Sequence, residues 1–283
     1  MNQPPSLPDF IIIGAMKCGT STLAAQLSAQ EGLFMTTPKE PNFFSDDAEF
    51  SRGHDWYQSL YSTAQTGDLC GEASTHYTKL PTYPETLPRL LASGATPKLI
   101  YILRDPIERL ISHYIHEWTQ GVMQGPIEQA VTRHPELQAY SEYGTQISPW
   151  VDAYGSDNIL ILNMAQLKTD PQAMLMQVGQ FLQRPDLAWQ NDQARVNVSS
   201  ERIRKRPLDR LLIGNPVATW LRRSLVPQSL RDVVKAKRQI QNRPSLPLPM
   251  RNNLITTFRA DRQKLLRMFP DRPELSGIYP DPS

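Results

Sequence analysis

The stretch "DFIIIGAMKCGTSTLAAQL", residues 9–27, holds residues whose spacing could do chemistry. Gly14 and Gly19 are spaced as in the phosphate loop G-x-x-x-x-G-K-[ST], but Thr20 stands where that loop has its lysine. The lysine here, Lys17, lies inside the loop. Backbone N–H groups at the start of a helix make an anion site, to which Lys17 would add charge and Thr20, Ser21 and Thr22 hydroxyl donors. A triphosphate-hydrolysing loop also needs the lysine after its second glycine and a carboxylate for Mg²⁺, so the displaced lysine weakens an ATPase reading. An ordinary strand-to-helix turn is the plain alternative.

Two more clusters stand out. In "LRDPIERLISHY", 103–114, Arg104 sits at the end of an apolar run and Ser112 lies about two helical turns beyond Asp105. The pair could hold a second phosphate, and the plain reading is Arg104 pairing with Asp105 or Glu108. In "TPKEPNFFSDD", 37–47, Pro38 and Pro41 bracket Lys39 and Glu40 in a tight extended segment that Phe43 and Phe44 anchor. A rigid Lys-Glu pair suits a general base with an electrostatic partner, as against a solvated loop. His76, with Ser74 and Glu72, is a further candidate near an acceptor pocket, or else a hydrogen-bonded surface histidine. His113, His116 and Glu117 have helical spacing open to a metal, but nothing else in the sequence supports one and none is expected. Trp118 reads as either core or a platform for a flat ring.

These residues need elements to position them. Residues 9–13, 98–103 and 158–164 read as short buried strands. Helical patterns cover 20–29, 84–93, 106–120, 126–134, 136–154 and 171–183, with Asp105 as an N-cap and Pro106 at the first helical position. Strands alternating with helices predict an α/β fold, a parallel sheet flanked by helices. A single domain over 1–283 is expected, with its core at about 9–200. The remainder, about 201–283, reads as an irregular basic extension ending in an amphipathic helix, about 250–268, that docks through Leu254, Phe258, Leu265 and Phe269.

The 283 residues are 40% hydrophobic and 20% charged, which suits a globular protein with an ample core. A formal net charge of +2 gives no reason to expect nucleic acid as a partner. Two cysteines, Cys18 and Cys70, are too few for a disulfide framework. "MNQPPSLPDF" shows no signal-peptide pattern, and the apolar runs are too short to span a bilayer, so a cytoplasmic protein is expected.

"GAMKCGTSTL", "KEPNFF", "GEASTHY" and "LIYILRDPIERLISHY", in this order, resemble the PAPS-dependent sulfotransferases, in the branch of the heparan-sulfate enzymes and their bacterial relatives. The resemblance spans roughly residues 9–200. It implies a P-loop-NTPase-like fold and 3′-phosphoadenosine 5′-phosphosulfate (PAPS) as sulfuryl donor, with PAP as product and no metal. Lys17, Cys18, Gly19, Thr20, Ser21 and Thr22 would form the 5′-phosphosulfate site, with Cys18 standing where many members have glycine. Arg104 and Ser112 match the 3′-phosphate residues and Glu40 the catalytic base. Lys17 would stabilise the leaving oxygen and Lys39 the sulfuryl oxygens. "RVNVSSERIRKR" lies about where the family grips the phosphate again, which makes Arg202, Lys205 and Arg206 candidate contacts. The acceptor would be a hydroxyl or amine on a saccharide, lipid or small metabolite. The basic stretch Arg202–Arg243 reads as a solvated face, or as a contact for a polyanion or an anionic membrane surface. A P-loop kinase or NTPase, and a non-catalytic PAP- or glycan-binding module, are the alternatives. The oligomeric state is left open.

Overall fold

The computed structural model describes residues 7–191 and 243–280. Five strands, β1 (Phe10–Gly14), β2 (Leu33–Met35), β3 (Leu69–Ala73), β4 (Lys98–Leu103) and β5 (Ile159–Asn163), form one parallel sheet in the order β2-β3-β1-β4-β5. Ile11 lies opposite Glu72 of β3 on one side and Leu99 of β4 on the other. Phe10–Ile13 and Leu99–Leu103 have no exposed surface. This is why β1 and β4 read as continuous apolar runs: helices cover both faces of a parallel sheet. From β1 the chain runs to the edge strand β2, returns through β3 beside β1, and then crosses to β4 on the other side. Such a switch in strand order opens a crevice at the carboxyl ends of the strands.

The helices are α1 (Thr20–Ser28), the short α2 (Asp47–Phe50) and α3 (His54–Ser59), α4 (Thr86–Ala92), α5 (Pro106–Gln120) and α6 (Ile127–Arg133). They continue with α7 (Glu136–Ala139), α8 (Tyr143–Tyr154), α9 (Gln166–Thr169), α10 (Pro171–Leu182) and α11 (Leu248–Met268). α5 begins as its sequence requires: Asp105 Oδ1 accepts from Ile107 N at 2.8 Å and Glu108 N at 3.1 Å, with Pro106 following. Gly121, at φ 81°, ends it.

One strand was not foreseen and one expected helix is corrected. β2, only three residues long, carried no pattern that marked it as a strand. The helix expected over 136–154 is two, α7 and α8. The break is imposed by α5: the buried Arg109 donates from Nε to Ser141 Oγ at 2.5 Å and from Nη2 to Leu137 O at 2.6 Å. Ser141 Oγ in turn donates to Pro106 O at 3.0 Å.

α11 docks where its apolar positions direct it, with Leu254, Phe258 and Leu265 buried and Phe269 following the helix end. Asp261 on the same buried face caps α8 from outside. Its carboxylate accepts from Gly144 N at 2.6 Å, Thr145 N at 2.8 Å and Thr145 Oγ1 at 2.6 Å. The side chain of Glu142, at the N-cap position of α8, makes no such bond, so another helix satisfies the orphan N–H groups. Trp150 is buried and Trp118 packs half-buried against the core. Among the described residues no helix is long and apolar enough to cross a membrane. Arg202, Lys205, Arg206 and the basic stretch as far as residue 242 lie outside the described residues.

Candidate active site

The ends of all five strands feed one cleft of about 490 Å³. After β1 the chain turns through Lys17 (φ 68°) and Gly19 (φ 88°) into α1. Among the described residues no side chain caps α1, so its N-terminus faces the cleft with Lys17, Gly19, Thr20, Ser21 and Thr22 along the wall. A non-glycine residue at positive φ is uncommon, and Lys17 holds that conformation at the tightest part of the loop. Cys18 does not join them. Its thiol is buried, 3.8 Å from the Tyr143 hydroxyl, and burial pushes its pKa up to about 11. The Cys18 N–H is spent on Ala15 O at 3.2 Å.

From β4 comes Arg104, and from α5 comes Ser112; both line the same cleft. Arg104 donates from Nη1 to Lys17 O at 3.4 Å and from Nη2 to Glu108 Oε2 at 3.2 Å. The plain pairing with Glu108 and a cleft-facing guanidinium therefore coexist. Glu108 Oε2 also accepts from Arg243 Nη2 at 2.6 Å.

From β2 comes the segment carrying Lys39 and Glu40. It is not extended as expected, because Glu40 (φ 60°) and Asn42 (φ 51°) are left-handed. Such backbone persists only where its surroundings over-determine it. Here Glu40 N donates to Ala73 O at 3.0 Å and Asn42 N to Ser74 Oγ at 3.2 Å. Phe43 and Phe44 are fully buried, with Phe43 stacked on Tyr57 at 4.6 Å.

Glu72 of β3 lies beneath this segment and not in the acceptor pocket, where the sequence placed it. Fully buried, it accepts from Tyr57 OH at 2.6 Å, Tyr77 OH at 2.8 Å and Ser74 Oγ at 2.7 Å. Burial raises its pKa, against the three hydroxyl bonds that favour its ionised form. Ser74, equally buried, links this carboxylate to Asn42 N.

Glu40 faces the cleft. Its Oε1 accepts from Lys39 Nζ at 2.5 Å and from Thr75 Oγ1 at 3.3 Å. Burial alone would raise the carboxyl pKa, but the Lys39 ammonium, with smaller help from Lys79 and His76, holds it below the usual value. Lys39 itself does not line the cleft.

His76 and Lys79, from the 3-10 turn Thr75–Thr78 and its end, do line it, with His116 and Glu117 opposite on α5. His76 stacks on Tyr83 at 4.4 Å, and burial, reinforced by the Lys79 charge, holds its pKa down at about 4. It is neutral at pH 7. Lys79 went unnoticed in the sequence, where it ends the polar stretch "STHYTK" with no pattern to mark it. His113 is turned away from the cleft, stacked on Tyr140 at 5.5 Å with Nε2 3.6 Å from Glu117 Oε1. Among the described residues no group of three or more His, Cys, Asp or Glu side chains is placed to hold a metal.

A loop of the phosphate-loop type leading into α1, a strand-end arginine and a partly buried carboxylate thus meet in one cleft at the ends of a parallel sheet. The profile of the sulfotransferase domain family matches residues 7–210, and the chain belongs to that family. PAPS is the standard sulfuryl donor of these enzymes. The membrane-associated sulfotransferase kil1 of Dictyostelium discoideum is 34% identical over 127 residues, covering 43% of this chain and 26% of that protein. The human bifunctional heparan sulfate N-deacetylase/N-sulfotransferase 2 is 26% identical over 201 residues, covering 62% and 22%. The chain thus spans about a quarter of the length of these curated relatives. A solved sulfotransferase from Alicyclobacillus acidocaldarius superimposes with a TM-score of 0.59 at 21% identity, covering 79% of this chain and 98% of that one, so the fold is shared.

Proposed function

We propose that this chain moves the sulfuryl group of PAPS to an acceptor hydroxyl or amine, and that it does so as one domain. The observation that carries the reading is that Lys17 with the start of α1, Arg104 with Ser112, and Glu40 all open on one cleft. The residues fit the donor's two anionic ends. The α1 N-terminus and the hydroxyls of Thr20, Ser21 and Thr22 suit the 5′-phosphosulfate, and Arg104 with Ser112 suits the 3′-phosphate.

In this reading Glu40 takes the acceptor proton while the acceptor oxygen or nitrogen bonds to sulfur. The bond from sulfur to the 5′-phosphate oxygen breaks, and its electron pair stays on that oxygen, where Lys17 meets the growing charge. Lys39 orients Glu40 and keeps it ionised. The acceptor is a saccharide, lipid or small metabolite; the name of the human relative favours a saccharide, and that of kil1 favours an acceptor at a membrane surface. Contact of the Arg202–Arg243 stretch with a polyanion or anionic lipid belongs to this reading, as do Arg202, Lys205 and Arg206 as further phosphate contacts.

Calorimetry with PAP and with ATP plus Mg²⁺, followed by transfer from labelled PAPS to a panel of saccharide, lipid and small hydroxyl acceptors, tests it. PAP binding without Mg²⁺ and label on an acceptor are expected. Tight Mg²⁺-dependent ATP binding without PAP binding would make the chain a kinase or NTPase. PAP binding with no transfer to any acceptor would make it a binding module.

A further inference from the structure

Among the described residues the ammonium of Lys79 stands in the cleft with no ion pair at close range, only the more distant charges of Glu40 and Glu117. Lys79 is 8% exposed, among the most enclosed charges of the site, and lines the same wall as Glu40 and Thr75. It makes neither a hydrogen bond nor a close ion pair among the described residues, and its nearest ring contact is the Tyr140 face at 5.9 Å. Burying a charge without pairing it costs several kcal/mol, so such an arrangement is retained where an anion arrives to complete it. Burial lowers the Lys79 pKa to about 8, held there against further loss by Glu40 and Glu117, so the ammonium form prevails at neutral pH.

Lys39 is placed differently. Its charge is committed to Glu40 at 2.5 Å and it does not line the cleft. The anion that reaches the space between the α1 loop and Glu40 is the sulfuryl group in transit. Resting on the proposed sulfuryl transfer, we infer that Lys79 is a catalytic residue that contacts the sulfuryl oxygens, the part that the sequence alone gave to Lys39. As the acceptor bond to sulfur forms and the bond to the phosphate oxygen breaks, the three sulfuryl oxygens keep their negative charge and swing past this ammonium. The Lys79 proton stays in place, because Glu40 takes the one that the acceptor loses.

The test uses PAP, which lacks the sulfuryl group, against PAPS, which carries it. Lys79→Met should leave PAP affinity within about twofold and weaken PAPS about tenfold, as expected for a lost charge-assisted contact. Its kcat should fall roughly 10²-fold, the usual cost of losing one oxyanion donor. Lys79→Arg should recover part of the PAPS preference. The melting temperature of Lys79→Met should hold or rise, since the variant deletes an unpaired buried charge; Lys79→Gln gives the same comparison if the methionine variant cannot be purified. Equal affinities of parent and variant for PAPS, or equal weakening of PAP and PAPS with a lowered melting temperature, would overturn the inference while leaving sulfuryl transfer intact. A parent that binds neither PAP nor PAPS would remove both.

Discussion

The Lys39 ammonium lies 2.5 Å from Glu40 Oε1, its neighbour in the chain, and Glu40 itself is held in a left-handed conformation. The pair sets the charge state of the proposed base. Removing the ammonium leaves burial as the main influence on the carboxyl, so its pKa rises. Lys39→Met should therefore move the acid limb of the kcat/KM–pH profile to higher pH, with activity approaching that of the parent on the alkaline side. Glu40→Gln should lower kcat by roughly 10²–10⁴-fold at every pH and leave PAP affinity unchanged, since a base acts only in the transition state. An unshifted acid limb in Lys39→Met would show that the pair does not govern the base.

Arg104 divides its donors between Glu108, the Lys17 carbonyl and the cleft. Arg104→Ala should weaken PAP by about 1.5–3 kcal/mol more than adenosine 5′-phosphosulfate, which lacks the 3′-phosphate. The difference between the two ligands removes the part of the loss that comes from loosening the loop. Equal weakening in calorimetry would take Arg104 out of the 3′-phosphate site.

Glu72 gives a stability signature. Burial puts its folded pKa above the unfolded value of about 4.3, so the folded state holds the proton more tightly. The contribution is therefore full below the unfolded pKa and is lost as pH rises through the folded one. Glu72→Gln should flatten the fall in urea midpoint across that window. Glu72→Ala, which strands the hydroxyls of Tyr57, Tyr77 and Ser74, should cost on the order of 3 kcal/mol at any pH. A parent whose midpoint is flat across the same window would contradict the raised pKa.

At Gly144, α8 packs directly against the backbone of α11. A Cβ there would stand 2.5 Å from the backbone oxygen of Asp261 and 3.0 Å from Leu265 N. Gly144→Ala should push α11 outward and destabilise by about 1–3 kcal/mol, the range for overpacking. Asp261→Ala, which uncaps α8 without adding volume, should cost about 1–2 kcal/mol, the range for a lost cap. Both are read from urea unfolding. A stable Gly144→Ala variant would mean that the two helices can part freely.

Much of this arrangement was legible in the chain. β1 and β4 announce themselves because both their faces are covered, and the start of α5 is written in Asp105 and Pro106. Lys17, Gly19, Thr20, Ser21, Thr22 and Glu40, singled out by type and spacing, line one cleft because strand ends fix where short sequences point, whereas Cys18 turns inward. What failed depends on distant partners. Glu72 looks like a functional carboxylate until Tyr57, fifteen positions away, is seen to bind it. The break at Ser141 is set by Arg109, thirty-two positions earlier, and no local periodicity carries that demand. Lys79 escaped notice because an isolated lysine after a turn is ordinary; its burial, and the absence of a close ion pair among the described residues, exist only in three dimensions.

The strand order has one more consequence. In the proposed reading, the groups that would grip the donor come after β1 and β4 and from α5, whereas Glu40, Thr75, His76 and Lys79 come after β2 and β3. The cleft is thus modular, with a nucleotide half and an acceptor half carried by separate connections of the same sheet. Segments 36–60 and 74–83 also carry Glu40 and Lys79 and the buried Phe43, Phe44 and Tyr57, and Thr78 Oγ1 donates to Ile13 O of β1 at 2.8 Å, so only their exposed positions are open to exchange. Variants that change those exposed positions and keep Glu40 and Lys79 would be the natural way to redirect such a scaffold to a new acceptor.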